Sequence, residues 1–103
     1  MVVTGASGNL GAAVVARLQR AGAGVVGLTR KEADLSDEAQ VETAYDKAVE
    51  RHGPLWASVH CAGGWAGATV AQTPVDVLER MLEINLRSAF LCCRAALGLR
   101  STS

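Results

Sequence analysis

The chain has 103 residues, ten of them basic and ten acidic, so its formal net charge is zero. That length fits one domain with one modest core and leaves no room for two. Half the residues are apolar and 19% are charged, which excludes a disordered chain. Zero net charge without a basic cluster argues against nucleic acid as a partner, because such binding rests on neutralising phosphates. The apolar half is mostly Ala and Val, with Tyr45, Trp56, Trp65 and Phe90 as the aromatic residues. Apolar runs fall far short of the ~20 residues a membrane-spanning helix needs, so no membrane partner is expected. No basic-then-apolar leader opens the sequence. Cys61, Cys92 and Cys93 have no paired spacing, and a reducing, cytoplasmic setting is expected.

Met1 to Thr4 is an apolar run that meets Gly5 and predicts a short buried strand. Leu10, Val14, Leu18 and Ala21 then recur at helical spacing, with Ala13 and Val15 widening the face. Gly22 stands where a left-handed C-terminal cap belongs. Val25 to Thr29 predicts a second strand, and Asp34-Leu35 a very short third one. Asp37 followed by Gln40 predicts a capping-box variant at the start of a helix. The apolar face of that helix is Val41, Ala44, Tyr45, Ala48 and Val49, and Gly53-Pro54 stops it. Leu55 to Ala62, between Pro54 and Gly63-Gly64, predicts a fourth strand buried on both faces. After a loop of small residues, Thr73 as N-cap and Pro74 in the first turn start a long helix. Val77, Leu78, Met81, Leu82, Asn85, Leu86, Ala89, Phe90 and Cys93 keep helical spacing to about Leu97. Residues 98–103 are expected to form an unstructured tail. Apolar strands alternating with amphipathic helices define an α/β chain: a parallel sheet, helices on both faces, right-handed crossovers.

Thr4-Gly5-Ala6-Ser7-Gly8-Asn9-Leu10-Gly11 joins the first strand to the first helix. Such a turn aims backbone N–H groups and the positive end of the helix dipole at one spot. A pyrophosphate fits there if no side chain blocks the backbone. Gly5 permits the tight turn, Gly8 the close approach, and Gly11 the packing of helix on strand. Ser7 either touches phosphate or caps the helix. A turn serving packing alone leaves the entropic cost of three glycines uncompensated.

With this G-x-x-G-x-x-G spacing the sequence resembles the short-chain dehydrogenase/reductase family, whose extended branch opens with Thr-Gly-x-x-Gly-x-x-Gly. The resemblance runs over about residues 1–97. Asp34-Leu35 resembles the Asp-hydrophobic pair with which the family contacts adenine, through a carboxylate and a backbone N–H. His60-Cys61-Ala62-Gly63 stands where the family has Asn-Asn-Ala-Gly, with both asparagines replaced. Asn85, in Ile84-Asn85-Leu86-Arg87-Ser88-Ala89-Phe90, matches the helix asparagine of the family's proton-relay tetrad. Its place inside an apolar helix also favours function over a buried amide bonded to backbone. Ala62-Gly63-Gly64-Trp65-Ala66-Gly67 is similar to a stretch near the nicotinamide in the dihydropteridine reductases, a branch of the same family. The resemblance implies a Rossmann-like, partial NAD(P)-binding domain over 1–97, truncated after its fourth strand and the following helix. It implies Asn85 as a catalytic residue. It places Gly5, Ser7, Gly8, Asn9, Leu10, Gly11, Arg30, Asp34, Leu35, Ala62, Gly63 and Gly64 on the cofactor.

The second strand ends in Leu28-Thr29-Arg30-Lys31. An NAD site usually carries an acid here for the ribose 2′-hydroxyl. Arg30 and Lys31 instead attract a 2′-phosphate, Arg30 bidentately, so NADP(H) is expected over NAD(H). The alternative is a solvated turn, and Glu32 and Asp34 blur the preference. The family transfers hydride between nicotinamide and a carbonyl, alcohol or imine carbon. Its acid/base is a tyrosine acidified by a lysine four residues on. Tyr45 is the one tyrosine, Val49 follows it at that distance, and the lysines are Lys31 and Lys47. Tyr45 is therefore expected in the core, and the chain as given is not expected to turn over. The family's polarising serine and substrate-binding segments are expected after residue 103, so a small-molecule substrate belongs to a longer product.

The fourth strand is expected to keep an unpaired edge, and Leu86, Phe90 and Leu97 to lack neighbours. The family uses this helix in a dimer interface, so self-association through 74–97 is expected. The alternative function is a non-catalytic nucleotide-binding or interaction module derived from such a reductase. His60, Cys61, Cys92 and Cys93 lack the spacing of a metal site, and the cysteines are expected as small buried hydrophobes.

Overall fold

The computed structural model describes residues 1–64, 66 and 68–101. Val2–Thr4 form strand β1, Asn9–Arg20 helix α1, Val26–Leu28 strand β2, Glu38–His52 helix α2 and Ser58–His60 strand β3. A 3-10 turn at Val70–Gln72 leads into α3, Val75–Met81, then a π-helical segment, Leu82–Arg87, and α4, Ser88–Ser101. The strands form one parallel sheet in the order β2-β1-β3. Val2 lies opposite Val26 and Ser58, and Thr4 opposite Leu28 and His60. The chain leaves the central strand toward β2 and returns past it to β3. Right-handed crossovers running in opposite directions put α1 and α2 on opposite faces. This is the expected α/β, Rossmann-like architecture.

The better-filled layer lies between the sheet, α2 and α4. Asp37 caps α2 by accepting from the Gln40 N–H at 3.1 Å. Gln40 does not complete the box. Its Oε1 accepts from the Asp34 N–H at 2.8 Å and ties the preceding turn to the helix. Val41, Ala44, Tyr45 and Ala48 face inward and join Val2, Leu28, Ala33, Leu55, Leu91, Cys92 and Ala96 in one cluster. Burying a side chain such as Val41 contributes about 1.5–3 kcal/mol. On the other face, α1 ends as its sequence predicts. The Gly22 N–H donates to Gln19 O at 3.0 Å and the Ala23 N–H to Leu18 O at 3.1 Å, around Gly22 at φ +89°.

Several expectations are corrected. Asp34-Leu35 is no strand and lies in the turn before α2. A parallel neighbour needs a crossover of about a dozen residues or more, and the segment after β2 is too short to supply one. Among the described residues the sheet therefore has three strands, and β3 takes the place expected of the fourth. Thr73 does not cap α3: Pro74 is the N-cap, and Thr73 Oγ1 donates to Thr69 O at 2.7 Å across the 3-10 turn. Helix continues past Leu97 to Ser101, so residues 98–101 of the expected tail are helical. Residues 102 and 103 lie outside the described residues.

Helix burial also differs. In α1 only Gly11 is buried, Leu10 is 66% exposed, and Val14, Val15 and Leu18 are half-buried. A twelve-residue helix overhangs a three-residue strand. Along α3 to α4, Leu78 and Leu82, expected on the inner face, are exposed. Ser88, Leu91, Cys92 and Ala96 are buried instead, with Val77, Met81, Ile84 and Ala95 half-buried. The π-helical segment Leu82–Arg87 interrupts the 3.6-residue period here, so a spacing read straight across it does not mark one face. Leu86, Phe90 and Leu97 are exposed, as expected.

Two glycine substitutions carry opposite signs. A Cβ on Gly11 falls 1.8 Å from Gly5 O, whereas one on Gly98 meets nothing within 4 Å. Gly11→Ala lowers stability by at least the ~1–3 kcal/mol of overpacking. Gly98→Ala, inside α4, raises it by up to about 1 kcal/mol. Paired thermal melts followed by circular dichroism check both directions.

Candidate functional site

β1 enters the glycine turn through Thr4, which is buried. Gly5 follows at φ +66°, a left-handed conformation that glycine adopts without steric penalty. A Cβ there would also lie 2.7 Å from backbone atoms of Cys61 and Ala62. Thr4 fastens this approach: its Oγ1 accepts from the Ala62 N–H at 3.3 Å and its carbonyl from the Cys61 N–H at 3.2 Å. The Ala6 N–H donates to Leu28 O at 3.2 Å. The exits of all three strands are thus pinned together.

Gly11, lacking a side chain, lets the first turn of α1 settle against Gly5. Gly8 is the N-cap of α1, and no side chain caps this helix. Ser7 therefore does not cap, which removes one of its two expected roles. Ser7, Gly8, Asn9 and Leu10 are all exposed. First-turn N–H groups have no partner within the helix, so they remain for water or an anion. This end of α1 stands at the point where the strand order reverses, between β1 and β3. The geometry fits a pyrophosphate.

The opposite rim is the segment leaving β3. Asn85 sits in the π-helical segment and is exposed, not a buried amide. Its Oδ1 accepts from the Gly64 N–H at 3.0 Å, and its Nδ2 donates to Gly64 O at 3.0 Å and to Met81 O at 3.0 Å. A Cβ on Gly63 would lie 2.5 Å from that Oδ1. Gly63 and Gly64 are therefore held against the helix by one carboxamide. Trp65 and Gly67, part of the stretch similar to dihydropteridine reductases, lie outside the described residues.

At the end of β2, Arg30 and Lys31 are exposed. Glu32 folds back, so that its carboxylate accepts from the Thr29 N–H at 2.6 Å and from the Thr29 hydroxyl. Asp34 Oδ1 accepts from the Ser36 hydroxyl at 2.7 Å and the Ser36 N–H at 3.0 Å. The Thr29 and Ser36 donors hold the carboxyls of Glu32 and Asp34 below their ordinary values, with Lys31 and Arg30 adding to the effect. Leu35 packs against the core. The Glu32 contact was readable from Thr29-x-x-Glu32, a capping-box spacing.

Tyr45 is wholly buried and bonded to Ser58 Oγ at 2.8 Å, as a core residue should be. Burial pushes its phenol far above the ordinary value. The three thiols do not share one environment. Cys92 is buried, Cys61 half-buried and Cys93 exposed, which corrects the expectation of three buried cysteines. Sequence inspection also missed that Ser58 and His60 alternate on β3 and so share the face toward α2 and α4.

An open parallel sheet with an uncapped helix N-terminus at its switch point belongs to the dinucleotide-binding α/β proteins. A family model described as enoyl-(acyl carrier protein) reductase matches residues 2–102. The curated 3beta-hydroxysteroid dehydrogenase of Mediterraneibacter gnavus is 30% identical, over 100% of this chain and 45% of its own length. A solved glucose/ribitol dehydrogenase of the short-chain type from Brucella melitensis superposes with a TM-score of 0.88 at 25% identity, covering 95% of this chain and 50% of that one. A blue fluorescent protein from a metagenomic library, solved with NADPH, superposes with a TM-score of 0.74 at 26% identity, covering 94% and 50%. The chain belongs to the short-chain dehydrogenase/reductase family of nicotinamide-dependent oxidoreductases. It spans about half the length of these relatives. Among the described residues, no helix is long and apolar enough to cross a membrane.

Asn85→Ala removes both partners of the Gly64 backbone. A hydrogen bond contributes about 1 kcal/mol net, so the Gly64 amide should exchange with solvent about fivefold faster. The amides of β1 should keep their protection. Hydrogen exchange read by NMR checks both.

Proposed function

We propose that the chain is the nicotinamide-dinucleotide-binding portion of a reductase that moves hydride between its cofactor and a carbonyl, alcohol or imine carbon. The observation that carries this reading is the uncapped, exposed N-terminus of α1 at the crevice between β1 and β3. The N–H groups of Asn9 and Leu10 hold the pyrophosphate, Gly8 lets it approach, and the Ser7 hydroxyl is in reach. Gly5 and Gly11 keep the turn open to it. Asp34 and Leu35 flank adenine, and Ala62, Gly63 and Gly64 lead toward the nicotinamide. Asn85 is the one member of the catalytic set in this chain, and its carboxamide steadies the Gly64 rim.

The bound cofactor supplies the hydride chemistry. Tyr45 takes no part in proton transfer, because it is buried and committed to Ser58. With no Tyr-x-x-x-Lys in the sequence, the chain alone binds dinucleotide without turnover. A small-molecule substrate is met only in a longer product. Three free cysteines suit a reducing, cytoplasmic setting.

NADP(H) is the favoured cofactor. Arg30 and Lys31 are exposed, while the neighbouring acids Glu32 and Asp34 are engaged by Thr29 and Ser36. Fluorescence titration should show tighter binding of NADPH than NADH. Arg30→Ala should weaken NADPH about tenfold, the size of a charge-assisted hydrogen bond, and leave NADH unchanged. Tighter NADH binding overturns the preference. Binding of neither overturns the dinucleotide reading, and substrate-dependent NADPH oxidation by the pure chain overturns the absence of turnover.

Leu78, Leu82, Leu86 and Phe90 form an exposed apolar stripe from α3 through the π-helical segment into α4. Stripes of this kind mark interaction surfaces, and self-association of the chain through it is expected. Size-exclusion chromatography should show a species larger than the monomer, and Leu86→Glu should return it to monomer size. A wild-type monomer at high concentration contradicts this.

A further inference from the structure

A separate polar constellation lies between β3, α2 and α4. Tyr45 OH on α2 is 2.8 Å from Ser58 Oγ on β3, and Ser58 Oγ is 3.0 Å from His60 Nε2. His60 Nδ1 is in turn 4.0 Å from Cys93 Sγ on α4. The phenol is wholly buried and the thiol exposed, so the series runs from core to surface. The dinucleotide site uses none of these four side chains. His60 also stands where the family resemblance expects asparagine.

We propose that Cys93 is a nucleophilic modification site for soft electrophiles of the α,β-unsaturated carbonyl class, with His60 accepting its proton. The thiolate is the reactive form, and an unassisted thiol is only a few per cent ionised at neutral pH. A base at the sulfur raises that fraction, provided its facing nitrogen carries no proton. The other ring nitrogen then carries the hydrogen and donates to Ser58 Oγ. Ser58, also bonded to Tyr45, fixes the ring and its tautomer. Burial of His60 favours the neutral imidazole. Phe90 and Leu97 flank the thiol with apolar surface suited to such electrophiles. Arg94 is held by Glu38 at 2.8 Å and over the Phe90 ring at 5.3 Å.

The reaction balances within the pair. The Cys93 proton passes to Nδ1, and a sulfur lone pair forms the S–C bond at the β-carbon. The alkene π pair moves to the α-carbon, which takes a proton from the imidazolium. Neutral His60 is regenerated, and no oxidant or reductant is needed.

The test is labelling of the full chain by N-ethylmaleimide at pH 7, at low protein concentration, with each cysteine followed by peptide mass spectrometry. Half-buried Cys61 and buried Cys92 serve as internal references. Cys93 should react about tenfold faster than Cys61, within the roughly thirtyfold that full ionisation allows. His60→Asn should remove that advantage while Cys92 stays protected, which reports an intact fold. Should Cys92 become reactive in that variant, Ser58→Ala decides, since it leaves thiol and imidazole together and removes the partner that orients the ring. A lower Cys93 rate there supports the proposal. An unchanged Cys93 rate in the folded variant overturns it. Equal labelling of all three thiols in the parent chain also overturns it.

Discussion

Backbone lies against backbone at Gly5, and the rest of the site follows from that contact. The Gly5 α-carbon faces the Cys61–Ala62 peptide, and its carbonyl lies under Gly11. A side chain at either glycine would lift α1 from the sheet or push the exit of β3 away from β1. Neither happens, so Thr4 can bond both Cys61 and Ala62 across the strand ends. The helix start is then held where the strand order reverses. An anion-binding site here needs no charged side chain, because it consists of peptide dipoles that the missing side chains leave uncovered.

The helices distribute size in an unusual way. Where α4 meets α2 and β3, the inward residues are Ser88, Leu91, Cys92 and Ala96, facing a helix that offers Ala44 and Ala48. Small side chains such as Ala44, Ala48 and Ala96 allow two helices to approach closely. The bulky Leu82, Leu86, Phe90 and Leu97 are left outside. A helix with large apolar residues on its outer side is shaped for a second contact as well as the first. The polar series from Tyr45 to His60 survives in the same layer because each buried group finds a partner.

The sequence was legible where a local rule had a single solution. Gly5 and Gly11 leave no alternative to a tight turn, and Val41, Ala44, Tyr45 and Ala48 share one helical period. Asp37 and Gly22 are caps by chemistry and took up those places. It was less legible where the outcome depends on distant neighbours. Asp34-Leu35 has strand-like composition, but no crossover is long enough to bring it back beside β2. Leu78 and Leu82 have helical spacing but are exposed, because the packed side of this run is the one that carries Ser88, Leu91, Cys92 and Ala96. The π-helical turn carries no compositional mark at all. It shows itself only through Asn85, whose carboxamide reaches Gly64 and the Met81 carbonyl together. Glu32 and the Ser58–His60 pair were readable in principle, from a three-residue spacing and from strand alternation.

Central placement of β1 also sets an order of assembly. Val2 pairs with Val26 on one side and with Ser58 on the other. The first pairing closes the much shorter loop, and each doubling of loop length adds only about 0.6 kcal/mol of closure entropy. The difference is small in equilibrium but consistent in direction during synthesis, since Val26 leaves the ribosome well before Ser58. The glycine turn is thus shaped first by β1, α1 and β2. Its other wall arrives later, when β3 docks along the free edge of a strand that was made first.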